Sequence, residues 1–368
     1  MLPHEIAELQ EAMESNPNRN YIVKPSSSSQ GKGIFLTNNF QDVSQLKQSS
    51  IVCEYIDNPL LLDGYKFDLR IYVALMSVNP LRIYIYEEGL VRLATIKYTQ
   101  ATSGNKYNQY THLTNYSLNK HNAAFQENQD AQNDDQGSKQ SLSAFRRKLK
   151  AMGIDDNLLF AKIEDIIIKT IISVEHIINN ATDMFVPYKA GNCFELFGFD
   201  ILIDQELIPW LLEVNLTPAL SCDSPLDQKV KSNCIADLLS LAGVVKIEQR
   251  NTSDVNQKKY QMAYGGGPSD SLSKLMQKRQ PIAPSSAGTT ASSTGGHQIG
   301  IQVIQDIYQK AMIHHHQAKA GANPNFKSSF LESLSKDDRT AVKDTDDEMK
   351  RRGFFKRIFP CLDFLYYR

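Results

Sequence analysis

The stretch from Phe194 to Pro218 has the alternation of a β-hairpin. Two apolar runs flank the polar turn Asp204–Glu206. A turn centred between Glu206 and Leu207 determines which residues of the two strands face each other, because hairpin register follows from the turn. The pattern therefore predicts a hairpin with one polar and one apolar face.

That register predicts a cluster of oxygen-bearing side chains. Asp200 lies opposite Glu213, and Asn215, two residues further on, shares their face of the sheet. The other face is apolar and consists of Phe199, Ile201, Leu212 and Val214. Two carboxylates and an amide suit Mg2+ held together with phosphate oxygens. A solvated polar face on a half-buried hairpin is the alternative that this stretch alone leaves open.

A second strand, KFDLRIYVAL, alternates just as regularly. Lys66, Asp68 and Arg70 point to one side. The residues between them are apolar and point to the other side: Phe67, Leu69 and Ile71. A fork-shaped arginine in such a row suits a phosphate or carboxylate substrate. Cross-strand ion pairs on a solvated face would produce the same row.

A Ser/Gly-rich loop separates two short strands near the N-terminus. The strand Tyr21–Lys24 ends in PSSSSQGKG, and an apolar strand resumes at Ile34. Small residues allow backbone amides to approach phosphates closely, and Lys24 and Lys32 would balance the phosphate charge. No helix and no GK[ST] follow, so this is not the P-loop pattern. A mobile hairpin loop is the competing interpretation.

Two further segments have binding character. The apolar strand Ile51–Ile56 carries one acid, Glu54, and the exposed backbone at its end can contact an adenine edge. The segment THLTNYSLNK, residues 111–120, is dense in hydrogen-bonding side chains, which is typical of a binding loop but also fits a surface connection.

The remaining periodicity predicts helices and one more hairpin. Apolar runs on either side of Glu87–Gly89 predict a turn there. Helical spacing predicts a basic helix over 143–152, a long helix over 156–180 and a last helix from Ser224 to Leu241. We expect the folded part to end near Val245.

Composition narrows the class of protein. The 368 residues are 41% hydrophobic and 22% charged with a net charge of −1, so global charge does not indicate nucleic-acid binding. Five scattered cysteines without a CxxC pair favour reduced thiols in the cytosol. No signal peptide and no transmembrane run are predicted. Beyond residue 245 the chain becomes linker-like, and its basic, aromatic end fits a membrane contact, an acidic partner or a terminal docking segment.

Five segments, in order, resemble the tubulin tyrosine ligase-like family, and most closely its polyglutamylases. They are VKPSSSSQGKGIFL, YIDNPLLLDGYKFDLRIYV, RIYIYEEGLVRLAT, THLTNYSLNK and ELFGFDILID with PWLLEVNLTPALSCDSPLD. The resemblance implies an α+β, ATP-grasp catalytic domain over residues 1–245, in which two subdomains clamp ATP. Residues 246–368 are expected to form a low-complexity, largely disordered tail with short helices.

The resemblance also implies roles for individual residues. Nucleotide contacts are expected from Lys24, Gln30, Gly31, Lys32, Gly33, Ile34, Glu54, Tyr55, Ile56, Lys66, Asp68, His112, Thr114 and Asn115. Arg70 and Lys66 are the expected catalytic residues, and Arg70 faces the incoming amino acid together with Tyr116, Ser117 and Lys120. Mg2+ is expected on Asp200, Glu213 and Asn215.

The implied reaction is ATP-dependent addition of free L-glutamate to γ-carboxylates in the acidic tails of tubulin, through an acyl-phosphate. Basic residues at 146–150 are candidates for holding such a tail. The implied protein is a monomer of the cytoplasm and cytoskeleton, with the cilium or basal body as a further location. About twenty residues precede the strand at Tyr21, so we expect the family's N-terminal subdomain to be missing. A catalytically impaired tubulin-binding remnant and a glycine or tyrosine ligase remain the alternatives.

Overall fold

The structure, a computed structural model, describes residues 1–28, 31–102, 104–185, 193–244 and 336–360. Within these ranges helices pack on two antiparallel sheets, so the α+β prediction is confirmed. The helices are α1 (Ile6–Ser15), α2 (Phe40–Ser44), α3 (Gln109–His112), α4 (Tyr116–Asn119), α5 (Leu142–Ala151), α6 (Asp156–Phe185), α7 (Pro225–Leu241) and α8 (Lys336–Arg351). The strands are β1 (Tyr21–Pro25), β2 (Phe35–Thr37), β3 (Ser50–Glu54), β4 (Leu61–Leu62), β5 (Tyr65–Val78), β6 (Leu81–Leu93), β7 (Lys139–Ser141), β8 (Glu195–Ile203), β9 (Pro209–Asn215) and β10 (Phe355–Phe359).

The larger sheet has seven strands in the order β10-β6-β5-β8-β9, with β4 added to β5 and β7 to β6. Its central strand β5 has two different faces. Phe67, Leu69 and Ile71 point into a core shared with α5 and α6, as their alternation predicts. On the opposite face, the polar residues up to Arg70 give way to Tyr72 and Ala74, which pack with residues of α7. One face of β5 therefore serves a polar site at one end and a hydrophobic core at the other.

The smaller sheet has three strands in the order β2-β1-β3. Val23 of β1 and Val43 of α2 form its small core together with Leu2, and α1 packs at its border. The sheet thus carries the Ser/Gly-rich loop, which joins β1 to β2.

The prediction that the folded part ends near Val245 is wrong. Helix α8 and strand β10 belong to the fold, because β10 pairs with the outer edge of β6 and Phe355, fully buried, packs on Tyr86 with ring centroids 4.9 Å apart. An unpaired edge of a long apolar strand is unfavourable, and β10 covers it. The predicted tail between residues 245 and 335, and residues 361–368, lie outside the described residues.

The hairpin predicted at Glu87–Gly89 is also wrong. Strand β6 runs on through these residues, and its turn with β5 lies between Val78 and Leu81 instead. The three residues from Tyr86 to Glu88 face a single residue of β5, which makes a bulge. A Cβ atom on Gly89 would lie 2.6 Å from the backbone oxygen of Arg70, so the glycine permits the close approach of the two strands.

Across the described ranges, no helix combines the length and the apolar character that crossing a bilayer demands.

Candidate active site

A cavity of about 670 Å3 lies between the smaller sheet and the polar part of the larger sheet. Twelve of the predicted site residues line it: Lys24, Ile34, Glu54, Tyr55, Ile56, Lys66, Asp68, His112, Thr114, Asn115, Asp200 and Glu213. Eight predicted residues are not part of its lining: Gly31, Lys32, Gly33, Arg70, Tyr116, Ser117, Lys120 and Asn215. Gln30 lies outside the described residues.

The β8–β9 hairpin brings the predicted carboxylates together. Asp200 pairs with Glu213 across the strands, so the predicted register is confirmed at this position. Nearer the turn the register shifts by one residue, so Leu212 forms a bulge and the turn is centred on Glu206 rather than after it. Asn215 stays beside the pair, because its Nδ2 donates to Glu213 Oε1 at 3.2 Å.

Asp200 is held by two arginines. Arg70 Nε donates to Asp200 Oδ1 at 2.5 Å, and Arg92 Nη2 lies 2.8 Å from Asp200 Oδ2. Burial opposes ionisation, but Arg92 and Arg70 outweigh it and lower the pKa of Asp200 to about 2. Glu213 differs, because burial and the neighbouring Asp200 raise its pKa. The pair therefore combines a firmly ionised carboxylate with one that would ionise more readily near an additional cation.

The donor set fits a hard cation. Asp200, Glu213 and Asn215 offer oxygen atoms, and the pKa of Glu213, which burial and the facing Asp200 raise, would fall beside a bound cation. Among the described residues, no group of three His, Cys, Asp or Glu side chains could hold a metal ion. A magnesium ion at this site would therefore need further ligands from the nucleotide phosphates.

Arg92 is a site residue that sequence reasoning missed. Its guanidinium donates to both oxygens of Asp68, at 2.7 Å from Nε and 2.5 Å from Nη2, and also contacts Asp200. These two carboxylates raise the pKa of Arg92 against the effect of burial, which keeps the residue charged. The signal in the sequence was an arginine within the RIYIYEEGLVRLAT segment, but only the bulged pairing of β5 with β6 places it opposite Asp68.

Lys66 lies at the floor of the cavity, where it is 6% exposed. Its Nζ donates to the Tyr55 hydroxyl at 2.9 Å, and that hydroxyl lies 3.0 Å from His112 Nδ1. Burial lowers the pKa of Lys66 to about 7, although Asp68 opposes the shift. A phosphate group in the cavity would favour the charged form of this lysine.

The Ser/Gly-rich loop lies beside the cavity. Gly31 and Gly33 have φ angles of 78° and 75°, a conformation that favours glycine. A Cβ atom on Gly31 would lie 3.0 Å from Asn115 Oδ1, so the loop approaches the segment after α3 closely. The two predicted binding segments therefore meet at this contact.

Tyr116 belongs to a different polar cluster, at the start of α7. Lys139 Nζ lies 3.7 Å from the centroid of the Tyr116 ring, and Lys139 forms an ion pair with the fully buried Asp227. Lys231 also reaches Asp227, at 2.8 Å. Tyr116, Ser117 and Lys120 are thus separated from the cavity lining, and their role as an amino-acid pocket stays a prediction.

The basic residues of α5 are already paired. Arg146 lies 2.6 Å from Asp156, Lys148 lies 3.2 Å from Asp63, and Arg147 pairs with Asp134. The helix also packs Phe145 and Leu149 into the core on the opposite face of the sheet from the cavity side. These contacts do not support the expectation that α5 holds an acidic tail.

A cavity between two sheets, lined by a buried lysine, an arginine and two opposed carboxylates, has the charges that binding of nucleotide phosphates requires. The family model described as the Tubulin-tyrosine ligase family matches residues 1–253. The chain belongs to this family.

Its relatives are named after glutamylation. The chain is 40% identical to Tubulin polyglutamylase TTLL5 of Mus musculus over 98% of its own length and 25% of that protein. It is 37% identical to Tubulin monoglutamylase TTLL4 of Mus musculus, over 98% of this chain and 28% of that protein. Tubulin polyglutamylase ttll-5 of Caenorhabditis elegans is 45% identical over 62% of this chain and 31% of that protein. The chain spans about a quarter of the length of the first two relatives.

Proposed function

We propose that this chain carries the ligase centre of a tubulin glutamylase, which joins free glutamate to γ-carboxylates in acidic tubulin tails and consumes ATP. The observation that carries the proposal is the cavity itself. Lys66 and Asp68 of β5 face Asp200 and Glu213 of the β8–β9 hairpin there, in a chain whose relatives are named tubulin glutamylases. A microtubule substrate would place the protein at the cytoskeleton, including that of cilia.

The chemistry requires positioning and charge neutralisation rather than a protein nucleophile. ATP would lie between the two sheets, with its phosphates near Lys24 and Lys66. Asp200, Glu213 and Asn215 would hold Mg2+, which supplies charge neutralisation at the phosphates. The acceptor γ-carboxylate takes the γ-phosphoryl group of ATP and ADP leaves. The glutamate amine then attacks the acyl carbon, forming an isopeptide bond and releasing phosphate.

Arg70 suits the acceptor side of this reaction. It shares the polar face of β5 and reaches Asp200 at 2.5 Å, so its guanidinium lies beside one of the candidate metal ligands. Arg92 stands one strand away and neutralises the same carboxylate. Two fixed cations would offset the charge that develops on the transferring phosphoryl group.

The test is mass spectrometry of tubulin after incubation with the chain, ATP, Mg2+ and a mixture of glutamate, glycine and tyrosine. We expect glutamate increments on tail peptides, and none with Glu213→Gln, which retains the shape of the side chain but not its charge. Mass increments of glycine or tyrosine would show that the chain ligates that amino acid and not glutamate. Tubulin binding without any increment would make the chain a binding module.

A further inference from the structure

Three polar side chains form a connected chain at the floor of the cavity. Lys66 Nζ donates to the Tyr55 hydroxyl at 2.9 Å, and the hydroxyl lies 3.0 Å from His112 Nδ1. Tyr55, Lys66 and His112 are 7%, 6% and 1% exposed. The Lys66 ammonium also lies 4.3 Å from the centroid of the Tyr55 ring, and the His112 ring packs edge-on against Tyr55. The three elements that carry these residues, β5, the segment after β3 and α3, meet at this contact.

The direction of the hydrogen bonds follows from what each group can donate. An ammonium group has donors only, so the Tyr55 oxygen accepts from Lys66. Its own hydrogen is then available to His112 Nδ1. The Tyr98 hydroxyl gives its own hydrogen to the Asp57 carbonyl at 2.7 Å, which leaves the Tyr98 oxygen as a second acceptor near Tyr55. Of the two candidate acceptors, His112 Nδ1 has hydrogen-bond geometry to the Tyr55 hydroxyl, at 3.0 Å, so we take Nδ1 as the acceptor.

The other ring nitrogen of His112 must then carry the proton. Burial lowers the pKa of His112 to about 4, so the imidazole is neutral and has a single N–H. The carbonyl of Asn105 opposes this lowering, as an acceptor for a ring N–H does. By strict geometry Nε2 has no hydrogen-bond partner among the described residues, and it is fully buried. His112 nevertheless lines the cavity.

We propose that Tyr55 is a positioning residue: one hydroxyl group holds Lys66 toward the nucleotide phosphates and fixes His112 as the Nε2–H tautomer. The inference rests on the proposed nucleotide site. It adds that a single hydroxyl group orders both side chains in the floor on which the nucleotide would lie, while the Nε2–H group itself is enclosed in the protein. Loss of the Tyr55 hydroxyl would disturb two nucleotide contacts although Tyr55 itself keeps its apolar packing.

The first measurement is the tautomer of His112, by 15N NMR of the histidine-labelled full chain at pH 6, where Lys66 is charged. The His112 signal is the one that disappears in His112→Gln. We expect an unprotonated Nδ1 and a protonated Nε2 in the wild type, and a changed Nδ1 shift in Tyr55→Phe. Tyr98→Phe is the matched control, since it removes a hydroxyl from the other ring that packs edge-on against His112, and it should leave the shift unchanged. If Nδ1 of His112 carries the proton in the wild-type protein, that single measurement overturns the proposal, and no variant is needed.

The second measurement is MgATP affinity by calorimetry. Tyr55→Phe retains the ring beneath the Lys66 ammonium and removes one hydrogen bond to a charged group, so we expect affinity to fall about tenfold. Tyr98→Phe should bind as the wild type does. Unchanged affinity and an unchanged His112 signal in Tyr55→Phe would refute the positioning role. A wild-type chain that binds no MgATP would refute the proposed function, and the NMR result would still decide the tautomer.

Discussion

Arg70 connects the polar row of β5 to the candidate metal position, which gives it two separable roles. Its contact with Asp200 is bidentate, through Nε at 2.5 Å and Nη2 at 3.1 Å. A lysine at this position would keep the charge but lose the fork. Arg70 does not line the cavity itself, so its effect on nucleotide binding should be small.

For Arg70→Lys we expect turnover to fall about 100-fold, as when one preorganised donor to a transition state is lost, and MgATP affinity to change less than about threefold. Glutamylation kinetics and calorimetry would measure the two quantities. Arg147→Lys, on an exposed arginine of α5, should alter neither. Equal losses in turnover and affinity would make Arg70 a simple nucleotide ligand.

Lys66 gives the site a pH dependence. Its pKa of about 7 in the free protein means that it is mostly neutral at pH 8, and bound phosphates would raise that pKa. Binding should therefore take up a proton at pH 8 but not at pH 6, and MgATP affinity should decrease as the pH rises above 7. Calorimetry in buffers with different ionisation enthalpies would detect the uptake. In Lys66→Arg the guanidinium is always charged, so proton uptake that persists there would assign it to another group.

The sequence predicted the placement of individual site residues correctly where polar and apolar side chains alternate along a strand. Alternation placed Lys66 and Asp68 on one face of β5, and hairpin register placed Asp200 opposite Glu213. The partner of Arg92 could not be predicted, because a bulge shifts the pairing of β6 with β5 and an apolar sequence pattern does not mark where a bulge lies. Tyr116 was assigned by resemblance alone, and a loop residue's neighbours depend on tertiary packing.

At the scale of elements, α8 docks through a buried carboxylate. Glu348 is 4% exposed, accepts a hydrogen bond from the Tyr84 hydroxyl at 2.8 Å and lies 3.2 Å from Arg82 Nε. Removing one partner of such a group leaves the others buried without compensation. The contact therefore ties α8 to strand β6 of the larger sheet.

Glu348→Ala should lower the free energy of unfolding by about 3 kcal/mol. Asp346→Ala is the matched control on the same helix, because Asp346 forms an exposed pair with Lys350 and should contribute less than about 1 kcal/mol. Urea unfolding followed by circular dichroism would compare the two variants. Identical midpoints would show that α8 does not stabilise the sheet.

The helices and the β8–β9 hairpin were largely predictable, whereas the turn between β5 and β6 and the strand β10 were not. The boundaries predicted for α5 and α7 fall within about two residues of those observed, because periodicity and capping residues are local signals. Strand β10 has five residues, and it pairs with β6, which is distant in the sequence. No tight turn joins the two strands, so no local sequence signal predicts their pairing. Because β10 lies close to the end of the sequence and contains basic residues, the sequence pattern assigned it to the tail.

At the scale of the whole molecule, the cavity depends on two sheets. Ile22 and Lys24 of β1 line it from the smaller sheet, and Asp68 and Glu213 line it from the larger one. Residues 1–243 form one compact unit with α8 and β10. Nucleotide binding should therefore restrain both sheets together.

We expect MgATP to slow hydrogen exchange in β1, β3 and the β8–β9 turn, while α6, on the other face of the larger sheet, exchanges as before. Mass spectrometry of peptic peptides would measure this, with Glu213→Gln as the control that should show less protection. Protection confined to the larger sheet would mean that the smaller sheet does not contact the nucleotide. Five short segments were enough to infer the family and, with it, two subdomains that clamp ATP. Which residues of the two sheets meet could not be inferred, since that depends on contacts between residues distant in the sequence.

The position of β10 at the sheet edge has a consequence for synthesis. Tyr84 and Glu348 are 264 residues apart, so a ribosome that adds roughly 5–20 residues per second releases β6 some ten to fifty seconds before its outer partner. During that interval the outer edge of β6 from Ile83 to Tyr86 lacks the strand that covers it in the folded protein, although β7 already covers Leu90 to Arg92. The nascent protein is therefore most exposed to aggregation before β10 emerges, and chaperone dependence should be greatest for chains stalled in that interval.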